Sequence, residues 1–265
     1  MSIYAETRAS DLNQCLDSLS QQTLPATEIV MVWDGPVHST VKRCVESYEE
    51  AFLFKHLPFS RNRGLGPALR DGLNACNYEL IARVDSDDWS IPERFYKQAQ
   101  FLQSEPSISV VGGELKEHYG RGKNSNSVIR RNPVDYLSIR QAAKRRNPMN
   151  HPTVMFRKSD VLACNNYESC PLFEDYYLWA KMLRQGYRLS NLPEVLVETE
   201  IDSDYFRRRG GITYVRNEIR LVRELRQIGF LSPMEATQFI LSRLPMRLAP
   251  LFIRQYLYKS FLRTN

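Results

Sequence analysis

The stretch "ARVDSDDWSIPERF" (residues 82–95) crowds three carboxylates, Asp85, Asp87 and Asp88, into four positions. They follow an apolar run, Leu80-Ile81-Ala82, broken only by Arg83 before Val84. Like charges that close raise one another's pKa, so such a cluster is stable only where something relieves it. In α/β sheets, ligands bind outside the carboxyl ends of the strands, which is where this cluster falls. A divalent cation relieves it well, because Mg²⁺ or Mn²⁺ takes one or two carboxylates and fills its shell with phosphate oxygens. The alternative is one Asp capping the next helix and the others solvated. Ser90 and Glu93, with Pro92 between them, already read as a capping box for a helix over residues 90–104. The pattern favours metal.

Working outward, "EIVMVW" (28–33), "FLFKHL" (52–57), "LIARV" (80–84) and "ISVVGG" (108–113) are short β-rich runs. Between them lie helical patterns at 10–22, with Ser10 as N-cap, at 67–76 and at 90–104. Strands alternating with helices predict a mostly parallel α/β sheet over roughly residues 1–115. Residues 119–132 are polar and read as a loop. A second block follows, with a strand "PTVMF" (152–156) and a helix from Phe173 to Arg184. After about residue 205 the pattern is helical only. The chain divides into an α/β domain over 1–205, with halves 1–115 and 116–205, and a basic helical region over 206–265.

At 265 residues, with 43% hydrophobic and 25% charged residues, the composition is that of a globular protein with one large core. No apolar stretch approaches the ~18 residues of a membrane span, and no signal peptide is visible. Five cysteines without metal spacing suggest reduced thiols in the cytoplasm. Residues 206–265 hold twelve Arg/Lys against three Glu, a net +9, so the preceding 205 residues carry −3 of the total +6. An acidic body with a basic tail argues against general nucleic-acid binding and for an anionic partner near the C-terminus. The segment "FILSRLPMRLAPLFIRQYLYKSFLRTN" interleaves Phe, Leu, Ile and Tyr with Arg and Lys. It reads either as amphipathic helices over 236–265 lying on the cytoplasmic face of the inner membrane or as a helical lobe packed on the body.

"VDSDDW" after a strand resembles the DxD segment of inverting family 2 glycosyltransferases with the GT-A fold, α/β proteins that bind nucleotide sugars. Further stretches match in order: the opening "IYAETRASDLNQCLDSLSQQTLPATEIVMVWDGP", "NRGLGPALRDGL" (62–73), "HPTVMFRKS" (151–159) and "FEDYYLWAKMLRQGY" (173–187). The last two are similar to bacterial surface-polysaccharide members of the amylovoran and O-antigen type. The resemblance covers about residues 1–200. One departure is that only Met1-Ser2-Ile3 precede Tyr4, so the family's first strand is expected to be short or missing, from a start at an internal Met or a shortened chain.

The resemblance implies a UDP-sugar donor, Mn²⁺ or Mg²⁺, and a saccharide acceptor that is lipid-linked. It places Tyr4 and Glu6 near the base and Asp34 on the uracil N–H. Asn62, Arg63 and Gly66 lie at a helix start suited to an anion, and Asp85, Ser86 and Asp87 fall in the DxD segment. Asp87 is the expected metal ligand, with Asp85 on ribose or a metal-bound water. His151 is a further candidate for metal, acceptor or diphosphate. Glu174-Asp175 matches the family's Glu-Asp motif, with Asp175 as the base that takes the acceptor hydroxyl's proton. From the residues alone each has a plainer alternative: a turn-forming Asp34, a solvated Arg63, a structural His151, and a Glu174-Asp175 pair favoured by the helix dipole. Arg207-Arg208-Arg209-Gly210-Gly211 is either solvated surface or a contact for the donor diphosphate or anionic lipid. Two rival functions remain open: a nucleotidyltransferase, which also uses paired Asp on an α/β sheet, and a non-catalytic membrane-associated scaffold.

Overall fold

A computed structural model describes residues 1–119, 126–201 and 205–250. The first half begins with β1 (Ser2–Ile3), α1 (Ala9–Ser20), β2 (Ile29–Trp33), α2 (Ser39–Glu46), β3 (Phe54–Pro58) and α3 (Leu65–Ala75). β4 (Leu80–Ala82), β5 (Asp88–Ser90), α4 (Arg94–Ser104), β6 (Ile108–Tyr119) and β7 (Asn126–Arg130) follow. The second half comprises α5 (Tyr136–Ala142), a 3-10 turn (His151–Thr153), β8 (Met155–Arg157), α6 (Lys158–Ala163), α7 (Glu174–Arg184) and β9 (Arg188–Ile201). It closes with α8 (Tyr205–Arg208), α9 (Ile212–Gln227) and α10 (Pro233–Leu248).

β1, β2 and β3 form a parallel sheet in that order. The expected parallel pairing stops there. β4 and β6 belong to a second, mixed sheet, β4-β8-β6-β9-β5, with β7 on β6. Its centre is the parallel pair β6–β9, flanked by antiparallel partners. Strands of the second block thus thread between strands of the first, a long-range choice that no local window contains.

Several boundaries moved for identifiable reasons. β9, the longest strand, reads poorly because "RLSNLPEVLVETEI" carries Pro193 and scattered charge. Its register jumps from Gly113↔Leu192 to Glu114↔Val195, so Pro193 sits in a bulge where no N–H is required. The predicted loop 119–132 is partly strand, since β6 reaches Tyr119 and β7 starts at Asn126; residues 120–125 lie outside the described residues. The capping box at Ser90 does not form. Ser90 pairs with Val197 in the sheet, and its hydroxyl accepts from Arg94 Nη1 at 3.0 Å. Ser10 lies inside α1, whose N-cap is Arg8.

β1 is two residues long. The Met1 ammonium donates to the Val30 carbonyl at 3.1 Å, and burial pushes its pKa down to about 6. Beside it a cavity of about 490 Å³, lined by residues such as Val30, Leu73, Ile81 and Phe95, separates the β1–β2 edge from β4.

The cores follow the two halves. Leu12, Leu16, Met31, Val41 and Leu102 pack behind the first sheet. Phe156, Tyr176, Trp179, Leu221 and Phe239 form the larger core, which joins α7 to α9 and α10. The tail is therefore packed as a lobe as far as residue 250. Arg243 and Arg247 hold the buried Glu218 at 2.6 and 3.2 Å, as the packed-lobe alternative expects. The expectation for 251–265 lies outside the described residues. Among the described residues no helix is long and apolar enough to cross a membrane.

Candidate active site

The turn after β2 sets the first wall. Gly35 has φ +90°, and a Cβ there would lie 2.6 Å from the Asn62 nitrogen, so Asp34-Gly35 admits the loop 61–64 at closest approach. Asp34 is buried, and its two oxygens accept from the Arg63 and Gly64 N–H groups at 2.7 and 3.0 Å. Asn62 Oδ1 also accepts from Gly64 N–H, at 3.0 Å. Asp34 thus builds the approach to α3. Arg63 is exposed, stacked on Phe59 at 4.4 Å and paired with Asp71 at 2.8 Å. Tyr4 and Glu6 are exposed in the turn after β1, where the Tyr4 N–H donates to Thr7 Oγ1 at 3.0 Å.

The second wall is the carboxylate cluster between β4 and β5. Asp85 is ion-paired with Arg83, whose side chain is only 5% exposed. Nε and Nη1 of Arg83 are buried and find no hydrogen-bond partner among the described residues. Ser86 is buried, and the Asp85 carbonyl accepts from Cys15 Sγ. Asp87 reaches solvent, yet the surrounding protein and the Asp85 charge push its carboxyl up to about 6. Asp88 is buried on β5, and burial with the Asp85 and Asp87 charges drives it well above the usual range, against a hydrogen bond with Thr199. Beneath them lies Arg94, 1% exposed, which donates to Ser90, Gln98 and the Arg83 carbonyl; burial brings it down to about 9. Sequence reasoning missed both arginines. The available signal was a charge interrupting a buried strand at Arg83 and another opening a helix at Arg94.

The third wall is the start of α7. A Cβ on Gly66 would lie 3.0 Å from Glu174 Cγ, so the absence of a side chain there lets Glu174 close on α3. Burial raises Glu174 to about 7, with Asp175 adding to it. Burial also raises Asp175, while a 2.5 Å hydrogen bond from Asn147 Nδ2, the Tyr176 N–H, Arg130 and Arg83 pull it back. Arg83 therefore acts electrostatically on Asp85, Asp88 and Asp175 alike. It ties the second wall to the third.

His151 goes elsewhere. It sits in the 3-10 turn rather than before a strand at 152, its Nε2 is 3.0 Å from the Tyr167 hydroxyl, and its ring lies against Trp179. Burial and Arg83 hold it well below its usual pKa. Among the described residues no three His, Cys, Asp or Glu side chains are arranged to enclose an ion. Asp85 is already engaged by Arg83, which leaves Asp87 as the solvent-facing carboxylate. That donor set fits a hard cation bringing water and phosphate oxygens with it, as Mg²⁺ and Mn²⁺ do. It does not fit an all-protein cage, and His151 is not part of it.

Comparison with known proteins places this architecture. The amylovoran biosynthesis glycosyltransferase AmsE of Erwinia amylovora is 37% identical over 98% of this chain and 97% of its own. An Escherichia coli UDP-Gal:alpha-D-GlcNAc-diphosphoundecaprenol beta-1,3-galactosyltransferase is 30% identical over 99% of this chain and 95% of its own. The crystal structure of S. aureus TarS 1-349 in complex with UDP-GlcNAc superposes with a TM-score of 0.67, covering 100% of this chain and 74% of that one. At 21% identity that likeness shows the fold alone. The family model described as Glycosyl transferase family 2 matches residues 1–164, and the chain belongs to that family as a glycosyltransferase.

Proposed function

We propose that the enzyme moves a hexose from a UDP-sugar to a lipid-linked saccharide in surface polysaccharide synthesis, with inversion at the anomeric carbon. The observation that carries this reading is the convergence on Arg83. The crowded carboxylates of the first half and Asp175 of the second half lie within its field. One set suits a cation and a diphosphate; the other suits a proton. Asp175 takes the acceptor hydroxyl's proton as that oxygen attacks the anomeric carbon and UDP departs. Asp87, with Asp85 behind it, would hold Mn²⁺ or Mg²⁺, which supplies charge neutralisation for the leaving diphosphate. Asp34, Tyr4 and the loop 62–64 would receive the uridine. Relatives that act on polysaccharide and diphosphoundecaprenol substrates support the acceptor class.

The test is calorimetric titration with UDP, with and without Mn²⁺, followed by transfer assays with UDP-galactose and UDP-GlcNAc. Binding of UDP that strengthens with Mn²⁺ and turnover without added NTP are expected. Absence of UDP binding would favour the scaffold reading, and a requirement for NTP the nucleotidyltransferase. Peripheral membrane contact belongs to the same proposal. Leu241 and Leu248 on α10 are 65% and 55% exposed beside a basic tail. Leu241→Ser with Leu248→Ser should reduce sedimentation with anionic vesicles, and unchanged sedimentation would remove α10 from that contact.

A further inference from the structure

Asn147 is a positioning element whose partners fix its orientation. Its Oδ1 accepts from the Met149 N–H at 3.2 Å, which turns its Nδ2 donor toward Asp175 Oδ2, 2.5 Å away. An amide held at its oxygen end has no freedom to present the wrong atom to a carboxylate.

The loop carrying Asn147 is pinned on both sides. Before it, Arg243 of α10 donates from Nε and Nη2 to the Arg145 carbonyl at 3.2 and 2.7 Å, and Tyr176 donates to the Ala143 carbonyl at 2.8 Å. After it, Asn191 Nδ2 donates to the Pro148 carbonyl at 3.2 Å, and the buried Asn150 side chain bonds the Gly113 and Arg130 carbonyls at 2.9 and 3.0 Å. A side chain on a loop so constrained is preorganised, which is what orienting a reacting group requires.

We propose that Asn147 positions Asp175 for proton transfer, by donating to one carboxylate oxygen so that the other is presented to the acceptor hydroxyl. This rests on Asp175 being the base. The same hydrogen bond stabilises the charged carboxylate against the burial that raises it. The other groups acting on Asp175 or facing it are Glu174 beside it, Arg130 on β7, Arg83, and Tyr167, Tyr176 and Cys170. Arg130 and Arg83 are cations that favour the charged form, and they persist when Asn147 is changed.

The test combines Asn147→Ala, Asn147→Asp and Asp175→Asn. Asn147→Asp keeps an acceptor for the Met149 N–H, so the loop stays anchored while the donor is lost and a carboxylate faces Asp175. The ¹³C resonance of the Asp175 carboxyl, assigned by its absence in Asp175→Asn, reports protonation without any substrate. Its midpoint should rise by roughly one pH unit in Asn147→Ala and further in Asn147→Asp. The acid limb of the transfer rate, measured with UDP-galactose or UDP-GlcNAc, should move with it, while UDP affinity stays at wild type. A rate lowered equally at all pH values, with an unmoved carboxyl midpoint, would show a merely structural loop and overturn the proposal. An active Asp175→Asn would instead remove the base assignment, and the proposal with it. An inactive Asp175→Asn with unshifted Asn147 variants would leave the base and sink Asn147 alone.

Discussion

Two acidic regions of this molecule solve opposite problems. At Asp85–Asp88 three carboxylates are compensated from beneath by Arg83 and Arg94, yet Asp87 still stands raised to about 6 at the solvent side. At Glu174-Asp175, among the described residues, no cation is ion-paired with either carboxylate; an amide, a helix N-terminus and distant guanidinium groups act on Asp175, and burial raises both. Under the proposed function, the first arrangement would lower its energy by gaining a metal ion. The second does so by gaining a proton. On that proposal the same residue type serves binding in one place and acid–base work in the other, by surroundings alone.

The comparison breaks most sharply at Asp175. Asp175→Asn keeps the shape and removes the basicity, so turnover should fall by roughly 10²–10⁴ while UDP affinity persists. Glu174→Gln should cost less. Near-normal turnover in Asp175→Asn would return the pair to an ordinary helix start. Asp87→Ala should behave differently, losing donor binding and turnover together. A ligand at about one hundred times its Kd stabilises a protein by ~2.7 kcal/mol, and that increment from UDP plus Mn²⁺ should vanish with circular dichroism unchanged. A melting shift equal to wild type would remove Asp87 from the site.

Arg94→Met probes the buried support under the first cluster. It leaves the Arg83 carbonyl and Gln98 without their donor, so stability should fall by about 2–3 kcal/mol in urea unfolding. An unchanged midpoint would mean the guanidinium is dispensable there. The smallest effect is a pH dependence at the second region. Glu174 rises from 4.5 unfolded to about 7 folded, so its contribution is complete below 4.5 and is lost as pH rises through 7. Relative to Glu174→Gln, the wild type should lose on the order of 1 kcal/mol between pH 5 and 8, after allowance for the water reaching its side chain. A constant difference across that range would show that the carboxyl titrates normally.

Local patterns determined a good deal. Apolar runs ending in turn residues marked β2, β3, β4 and β6, and periodicity marked α1, α3, α4 and α7, because each depends on contacts a few residues apart. The carboxylate cluster at a strand end and the Glu-Asp helix start were legible for the same reason, as types at fixed spacing. The ordered stretches at the opening, 62–73, 82–95, 151–159 and 173–187 also carried the resemblance to the family. What only the tertiary structure decided is everything made by distant partners. β9 pairs beside β6 and admits Pro193 through a bulge that exists only against that neighbour. Ser90 left its helix cap for a strand because β9 offered a ladder. Arg83 and Arg94 became the buried supports of the acidic cluster, and Asn147 met Asp175 across 28 positions. His151 turned to Tyr167 rather than to the aspartates. Side-chain spacing in a sequence fixes which chemistry is available, but burial and pairing are properties of the folded contact. They decide that Asp87 stays open to solvent while Asp175 is enclosed beside Asn147.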